Sequence, residues 1–278
     1  MQSEVATHVV RSRPRIGIRA VVAYLIAALT VAPLLWLLLT VFKPGDEVFR
    51  PGLPSRLTLD NITYVLTQIP LGRYVLNSAV VSVAVTVIAL ALHSMAAYAL
   101  ARLRFPGRQL IFSVIISTLL VSLPVILVPL FLVVKELGLL DSYAGLILPA
   151  IFHAFGIFLL RQYYLNIPKE LEEAADLDGC GYFRRWWTIV LPLSKPALAS
   201  LSVLFFLANW NAFLWPLIAT QDPDLRMVQV GISTLQGQYV SGWHYVLAAT
   251  VIAAVPTVVA FLIGQRWLVD AIKTSGLK

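Results

Sequence analysis

Six apolar runs, near residues 19–42, 75–101, 109–134, 142–163, 197–220 and 245–267, leave this chain few ways to fold. Each is long enough for a helix to cross a hydrocarbon core of about 30 Å, which takes about 20 residues. None carries a Lys, Arg or Asp at its centre, where one costs about 2.5–3.5 kcal/mol. In lipid every backbone N–H and C=O must be satisfied internally, so such runs become helices. The chain is 59% hydrophobic and 13% charged, against about 25% charged for soluble domains. That leaves no room for a separate soluble domain. The expectation is an all-α membrane protein with six transmembrane helices over 19–270, flanked by a basic tail (1–18) and a short C-terminal tail (271–278).

Most runs contain a proline: Pro33, Pro124, Pro129, Pro149, Pro216 and Pro256. Each is a plausible bending point, and ordinary packing accounts for each equally well. The basic N-terminus (Arg11, Arg13, Arg15, Arg19) before the first run resembles a signal peptide in outline. That run is too long for a signal core and lacks a small-x-small cleavage site, so it is read as a retained span.

Orientation follows from the basic residues. With the N-terminus inside, fifteen Lys and Arg are cytoplasmic: four before the first span, three in 102–108, five from 161 to 195, and three from Arg266 onward. Six lie outside: Lys43, Arg50, Arg56, Arg73, Lys135 and Arg226. This positive-inside bias places both tails in the cytoplasm. It also explains the net charge of +7 without a nucleic-acid partner. Cys180 is the single cysteine, so an internal disulfide and a cysteine-based zinc cage are excluded.

The same orientation makes residues 165–196 a cytoplasmic loop. This stretch is polar, with Glu170, Glu172, Glu173, Asp176 and Asp178 set among Lys169, Arg184, Arg185 and Lys195. Pro168 suits a first helical position, and the three glutamates suit a first turn. Leu171, Ala174, Ala175 and Asp178 recur at helical spacing, with Leu177 beside them. Gly179 and Gly181 suit the left-handed backbone that ends a helix. A second short helix, Tyr182 to Leu191, puts Trp186, Ile189 and Val190 on one side. Pro192 is expected to stop it, and Pro196 to start the next span. The small alanine face ending in glycine reads as a docking knob, and a solvated loop with membrane-hugging aromatics is the plain alternative.

Glu173-Ala174-Ala175, three residues, Gly179, nine residues, Ile189, one residue, then Leu191-Pro192 resembles the "EAA" loop of binding-protein-dependent ABC importer permeases. Asp178-Gly179, the run Pro192 to Pro196, and Trp210-Asn211 followed by Phe213-Leu214-Trp215-Pro216 resemble the carbohydrate-uptake (maltose-type) branch. The resemblance implies a type I ABC importer permease fold in a bacterial inner membrane, with a coupling helix in the loop. It implies cytoplasmic ABC ATPase subunits as partners, touched by Glu173, Ala174, Ala175, Asp178, Gly179, Ile189, Leu191 and Pro192. It further implies a second, different permease subunit and an extracytoplasmic substrate-binding protein. The outer connections 43–74 and 221–244 are the candidates for contacting that protein, and in the first of them a short helix capped by Asp60 is expected.

No GxxxxGK[ST] loop is present, so the chain is not expected to hydrolyse ATP itself or hold a cofactor, ATP being bound by the partner. A membrane enzyme would need a clustered nucleophile, metal or acid–base pair, and His93 and His153 have no carboxylate at ligand spacing. A secondary transporter or channel is the alternative; mid-membrane charges or repeated halves would favour it. Polar residues in the spans mark a candidate pathway: Asn77, Ser122, Asn209, Trp210, Asn211 and Trp215. Amides and flat aromatics suit sugar hydroxyls and ring faces, while interhelical hydrogen bonds are the structural alternative.

Overall fold

The computed structural model describes residues 18–238 and 242–275. Most of the basic N-terminal tail, the C-terminal residues 276–278 and residues 239–241 of the second outer connection lie outside the described residues. Among those described, every regular element is helical.

The first span is α1 (Ile18–Val41), continuous through Pro33. Beyond it the chain makes a short 3-10 turn, Gly45–Glu47, and then α2 (Asp60–Thr67). Asp60 does not cap this helix. It lies in the first turn, its own N–H is accepted by Thr58 Oγ1 at 3.0 Å, and Leu59 occupies the cap position without a side-chain bond. The neighbouring Asn61 has the structural role. It is buried, and its Nδ2 donates to the carbonyls of Val41 (2.9 Å) and Lys43 (2.8 Å), closing the end of α1.

Helix α3 (Leu71–Arg102) is the axis of the fold. Its 32 residues make a rod of about 48 Å at about 1.5 Å per residue. Leu71 and Tyr74 join an apolar cluster with α1, α2 and the C-terminal helices. Val81 and Val85 join a second with Trp215 and Met227, and Ala89, Ala97, Tyr98 and Ala101 a third with the polar loop. Its buried face is lined with small side chains (Ser78, Ser82, Thr86, Ala89, Ser94, Ala97), which lets neighbouring backbones approach closely.

The next apolar runs form broken helices. The run near 109–134 is α4 (Arg108–Ser117) and α5 (Leu123–Glu136), bent by 106° across Val121 and Ser122. The run near 142–163 is α6 (Tyr143–Ile151) and α7 (Ala154–Leu165), bent by 44° where Phe152 and His153 are extended. The polar loop holds α8 (Glu170–Leu177), α9 (Tyr182–Arg185), a π-helical turn over Trp186–Val190 and α10 (Leu191–Leu193). Pro192 does not stop the return helix. That helix continues to Leu193 and turns by 78° at Ser194 into α11 (Lys195–Trp210), with Pro196 in its first turn.

The fifth run is interrupted too: α11 ends at Trp210, and α12 (Leu214–Ala219) resumes three residues later. The connection that follows, residues 221–244, is partly helical. A 3-10 turn at Pro223–Leu225 leads into α13 (Val228–Gln238), and α14 (Trp243–Ser275) ends the chain. Among the described residues, three helices are long and apolar enough to cross a membrane unbroken, and up to six spans result if each bent pair is one.

Candidate functional site

Two features stand out: the polar loop at one end of α3 and a cavity beside its middle.

In the loop, Glu170, Glu172 and Glu173 occupy the first turn of α8, where unpaired N–H groups favour negative charge. Pro168 sits two residues ahead of the helix rather than at its first position. The far end closes with a Schellman pattern. Cys180 N–H donates to Ala175 O at 2.9 Å and Gly179 N–H to Asp176 O at 3.0 Å, with Gly179 at φ +74°. A left-handed residue is what this motif requires. Gly181 is not a second one, since its φ is −67°.

The alanine pair is split by this geometry. Ala175 turns inward at 7% exposure, while Ala174, Glu173 and Asp178 face outward with Leu177 at 91%. The knob therefore presents an outward face of mixed acidic and apolar character rather than a small alanine surface.

From behind, the loop is fixed to α3 through three residues one turn apart. Ser94 Oγ accepts from Trp186 Nε1 at 2.9 Å and lies 2.6 Å from Tyr164 Oη. Tyr98 Oη donates to Glu172 Oε2 at 3.4 Å. Arg102 Nε lies 2.9 Å from Glu172 Oε1, an ion pair by distance rather than by hydrogen-bond angle. Its guanidinium also donates to Ile167 O. A second ion pair, Arg185–Asp176 at 2.7 Å, ties α9 to α8, and the Arg185 guanidinium covers the Tyr182 ring. Val190 is buried beside Trp186, Ile189 and Leu191 are half-buried, and Pro192 is exposed.

The breaks at 121–122, 152–153 and 211–213 converge, while the bend at Ser194 does not reach the same place. A cavity of about 1040 Å³ is lined by Thr118, Val121 and Leu123 from the first break, Phe152 and His153 from the second, and Asn209 and Ala212 from the third. Val81, Val85 and Ala89 of α3 form its back wall, and Trp215 and Phe205 add aromatic faces. Among the described residues, no Lys, Arg, Asp or Glu lines it. Exposed backbone near a cavity is tolerated in membrane proteins because partners there satisfy it. One such partner is visible: the N–H of His153, freed by the break, donates to His93 Nε2 at 3.3 Å.

Of the residues marked from sequence, Asn209 and Trp215 line the cavity. Asn209 Nδ2 donates to Phe205 O at 2.8 Å, and Trp215 Nε1 to Gly145 O at 3.0 Å. Ser122 is exposed between two lining residues, and Asn211 is exposed, accepting from Gln229 Nε2 at 3.1 Å. Trp210 lies away from the cavity, buried at 1% with its indole N–H on Ala253 O of α14.

Asn77 is also buried elsewhere. Its Nδ2 donates to Asp224 O (2.8 Å) and Arg226 O (3.0 Å), and its Oδ1 accepts from Tyr143 Oη at 2.6 Å. Arg73 adds an ion pair to Asp224 at 3.1 Å. Replacing Asn77 with Ala removes the partner of the Arg226 carbonyl and of the Tyr143 hydroxyl, while Asp224 O keeps Arg73 Nε at 3.0 Å. A buried group left unsatisfied costs about 1–3 kcal/mol. Asn77→Ala is therefore expected to lower the thermal midpoint of the detergent-solubilised protein, measured by a thiol-dye or fluorescence melt.

Apolar helices broken around a central cavity, with a rigid polar loop at one end, define a membrane permease subunit. Residues 93–274 match the family of binding-protein-dependent transport system inner membrane components, and the chain belongs to that family. It is 37% identical over 259 residues to the arabinooligosaccharides transport system permease protein AraQ of Halalkalibacterium halodurans, covering 91% of this chain and 93% of that one. It is 41% identical over 210 residues to the sn-glycerol-3-phosphate transport system permease protein UgpE of Yersinia pestis, covering 74% of each. The fold matches the crystal structure of a bacterial ABC transporter involved in import of the acidic polysaccharide alginate. The TM-score is 0.80 at 24% identity, over 90% of this chain and 94% of that one.

The protein is thus a multi-pass inner-membrane permease subunit of a binding-protein-dependent ABC importer, and it is not itself an enzyme. Family membership implies an ATPase and a substrate-binding protein as partners. The six-helix, type I reading agrees with this fold.

Proposed function

We propose that this subunit imports a sugar or sugar-like solute through the cavity at the three helix breaks, driven by an ATPase gripping the loop around Glu173–Gly179. The loop lies in the cytoplasm, and ATP is bound by the partner. A second, different permease chain completes the path, and the outer connections 43–74 and 221–244 face the substrate-binding protein. The observation that carries this reading is the loop. A helix closed by its own Schellman turn and anchored from behind holds Leu177 at 91% exposure, an apolar side chain rigidly offered to a partner.

The cavity supports the solute class. At about 1040 Å³ it lies just above the about 300–1,000 Å³ of small-molecule sites. Its lining is mostly aliphatic, and the aromatic faces of Phe152, Phe155, Phe205 and Trp215 with the polar groups of Thr118, His153 and Asn209 are what would meet a polyhydroxylated solute. The arabinooligosaccharide relative's name points the same way, whereas the sn-glycerol-3-phosphate relative is named for a charged polyol phosphate. The test is uptake in proteoliposomes holding the whole complex with its binding protein. Neutral oligosaccharides are expected to be taken up on ATP addition. Asn209→Leu should slow transport about two- to tenfold, the worth of one hydrogen bond of about 0.5–1.5 kcal/mol, with ATPase assembly unchanged. Uptake that runs without ATP, or an Asn209→Leu variant with full rate, would contradict the reading.

A further inference from the structure

The loop has to pass force to the spans, and its backbone is a poor conductor of it. Helix α8 is joined to the rest through the Pro168–Lys169 turn and the Gly179–Gly181 bend, both outside regular helix. Its ion pair to Arg185 stays within the loop. Among the described residues, the side-chain polar contacts from α8 to a spanning helix are those of Glu172 with Arg102 and Tyr98. Glu172 precedes the Glu173-Ala174-Ala175 pattern, and Glu172, Arg102 and Tyr98 lie outside the residues that the resemblance assigns to ATPase contact.

We propose that Arg102 and Glu172, with Tyr98, form a latch that makes α8 move as one body with α3. This rests on the reading of the loop as the ATPase's grip. Their side chains are 6% and 10% exposed, so water screens the pair little, and separating the two charges is strongly resisted. Arg102 is further held by Ile167 O, just before α8, which fixes its guanidinium from two directions. A buried pair of this kind contributes little net stability, so stability alone is a weak reason for its presence.

What the latch connects is visible along α3. Four-residue steps from Arg102 lead to Tyr98 and Ser94, which hold the loop. One position earlier, the same spacing gives His93, Ala89, Val85 and Val81. His93 holds the broken backbone at His153, and the other three form the cavity wall. About 20 Å of unbroken helix, at about 1.5 Å per residue, separates Arg102 from Ala89. A shift of α8 is thereby delivered to the cavity wall and to the α6–α7 break together. Arg102, Glu172 and Tyr98 are positioning residues and touch no substrate.

The test uses the assembled transporter in proteoliposomes, reading substrate imported per ATP hydrolysed alongside the amount of ATPase bound. The first variant is the double replacement Arg102→Met with Glu172→Met, which removes both charges and leaves neither buried alone. It is expected to bind ATPase normally, hydrolyse ATP and import about tenfold less per ATP, within the about 5–150-fold range of inter-site coupling. Arg102→Lys, which keeps the charge, should recover most of the ratio. The second variant, Tyr98→Phe, should lower the ratio mildly with no effect on assembly.

An unchanged ratio in the double variant overturns the proposal. So does a loss of transport matched by an equal loss of bound ATPase, which would make the pair a part of loop shape only. Gly179→Asp separates the two readings. If it uncouples transport while the double variant does not, the latch alone fails. If it has no effect on ATPase binding, the grip is misplaced whatever the latch variants do.

Discussion

Gly179→Asp is expected to leave the protein inserted and folded while reducing co-purified ATPase more than tenfold and abolishing transport-coupled hydrolysis. The reason lies in what the substitution does and does not disturb. Gly179 stands at φ +74° with nothing within 4 Å of where a Cβ would be, so the new atom meets no neighbour in the isolated subunit. A left-handed backbone costs an ordinary residue about 1–2 kcal/mol, and Asp tolerates it better than most. The carboxylate is what matters. It would stand beside Asp178 at the C-terminus of α8, where the helix dipole opposes negative charge by about 0.3–1 kcal/mol. It would also occupy the surface that a partner must approach. Contacts at the centre of an interface are commonly worth about 2 kcal/mol or more, which sets the expected loss. Gly179→Ala keeps the backbone strain without the charge and should be far milder. The check is pull-down of the ATPase on the tagged subunit together with substrate-stimulated hydrolysis.

Gly156→Ala is expected to lower the unfolding midpoint of the solubilised subunit by about 2–12 °C and to impair transport by the assembled complex. A Cβ at Gly156 would overlap His93 Nδ1 and lie 2.7 Å from Phe205 Cζ. Both rings belong to the contact of α3, α7 and α11 beside the cavity, and His93 and Phe205 already meet edge-on at 5.5 Å. Overpacking of this kind costs about 1–3 kcal/mol, and about 2–4 °C accompanies each kcal/mol in domains of this size. The displaced imidazole is the acceptor for the His153 N–H, so the α6–α7 break loses its partner as well. An unchanged midpoint would show that the ring moves aside freely.

Much of this architecture is written in the hydropathy of the chain, because lipid punishes exposed charge and unpaired backbone so heavily. The six runs and the loop between the fourth and fifth follow from that, while the left-handed Gly179 follows from glycine's place at the end of a helix. The breaks do not, because hydropathy is blind to an interruption inside an apolar run. Pro124, Pro149 and Pro216 lie within five residues of a break, yet Pro33, Pro129 and Pro256 sit in unbroken helices. A proline alone therefore does not say where the backbone parts. Convergence of three breaks on one cavity depends on contacts between residues far apart in sequence.

The same limit applies to individual side chains. Asn77, read as a pathway residue, holds carbonyls nearly 150 positions away. Trp210 is drawn to Ala253, while Trp215 a few residues on reaches the cavity. Ala174 and Ala175 share the helical pattern, but only the packing of Glu172 and Ala175 against the protein decides which of them faces out. The Arg102–Glu172 contact had one signal in sequence: Ser94, Tyr98 and Arg102 recur every fourth residue at the end of a span, opposite a loop rich in acid.

The central claim, a cytoplasmic loop gripped by a separate ATPase, is tested most directly by thiol labelling of the single native cysteine. Cys180 is half-buried and follows Gly179 at the end of α8. In membrane vesicles of both orientations, an impermeant maleimide is expected to label it only from the cytoplasmic face. That labelling should fall when the ATPase subunits are assembled and return when they are stripped off. Labelling from the outer face, or equal labelling with and without the ATPase, would contradict the account.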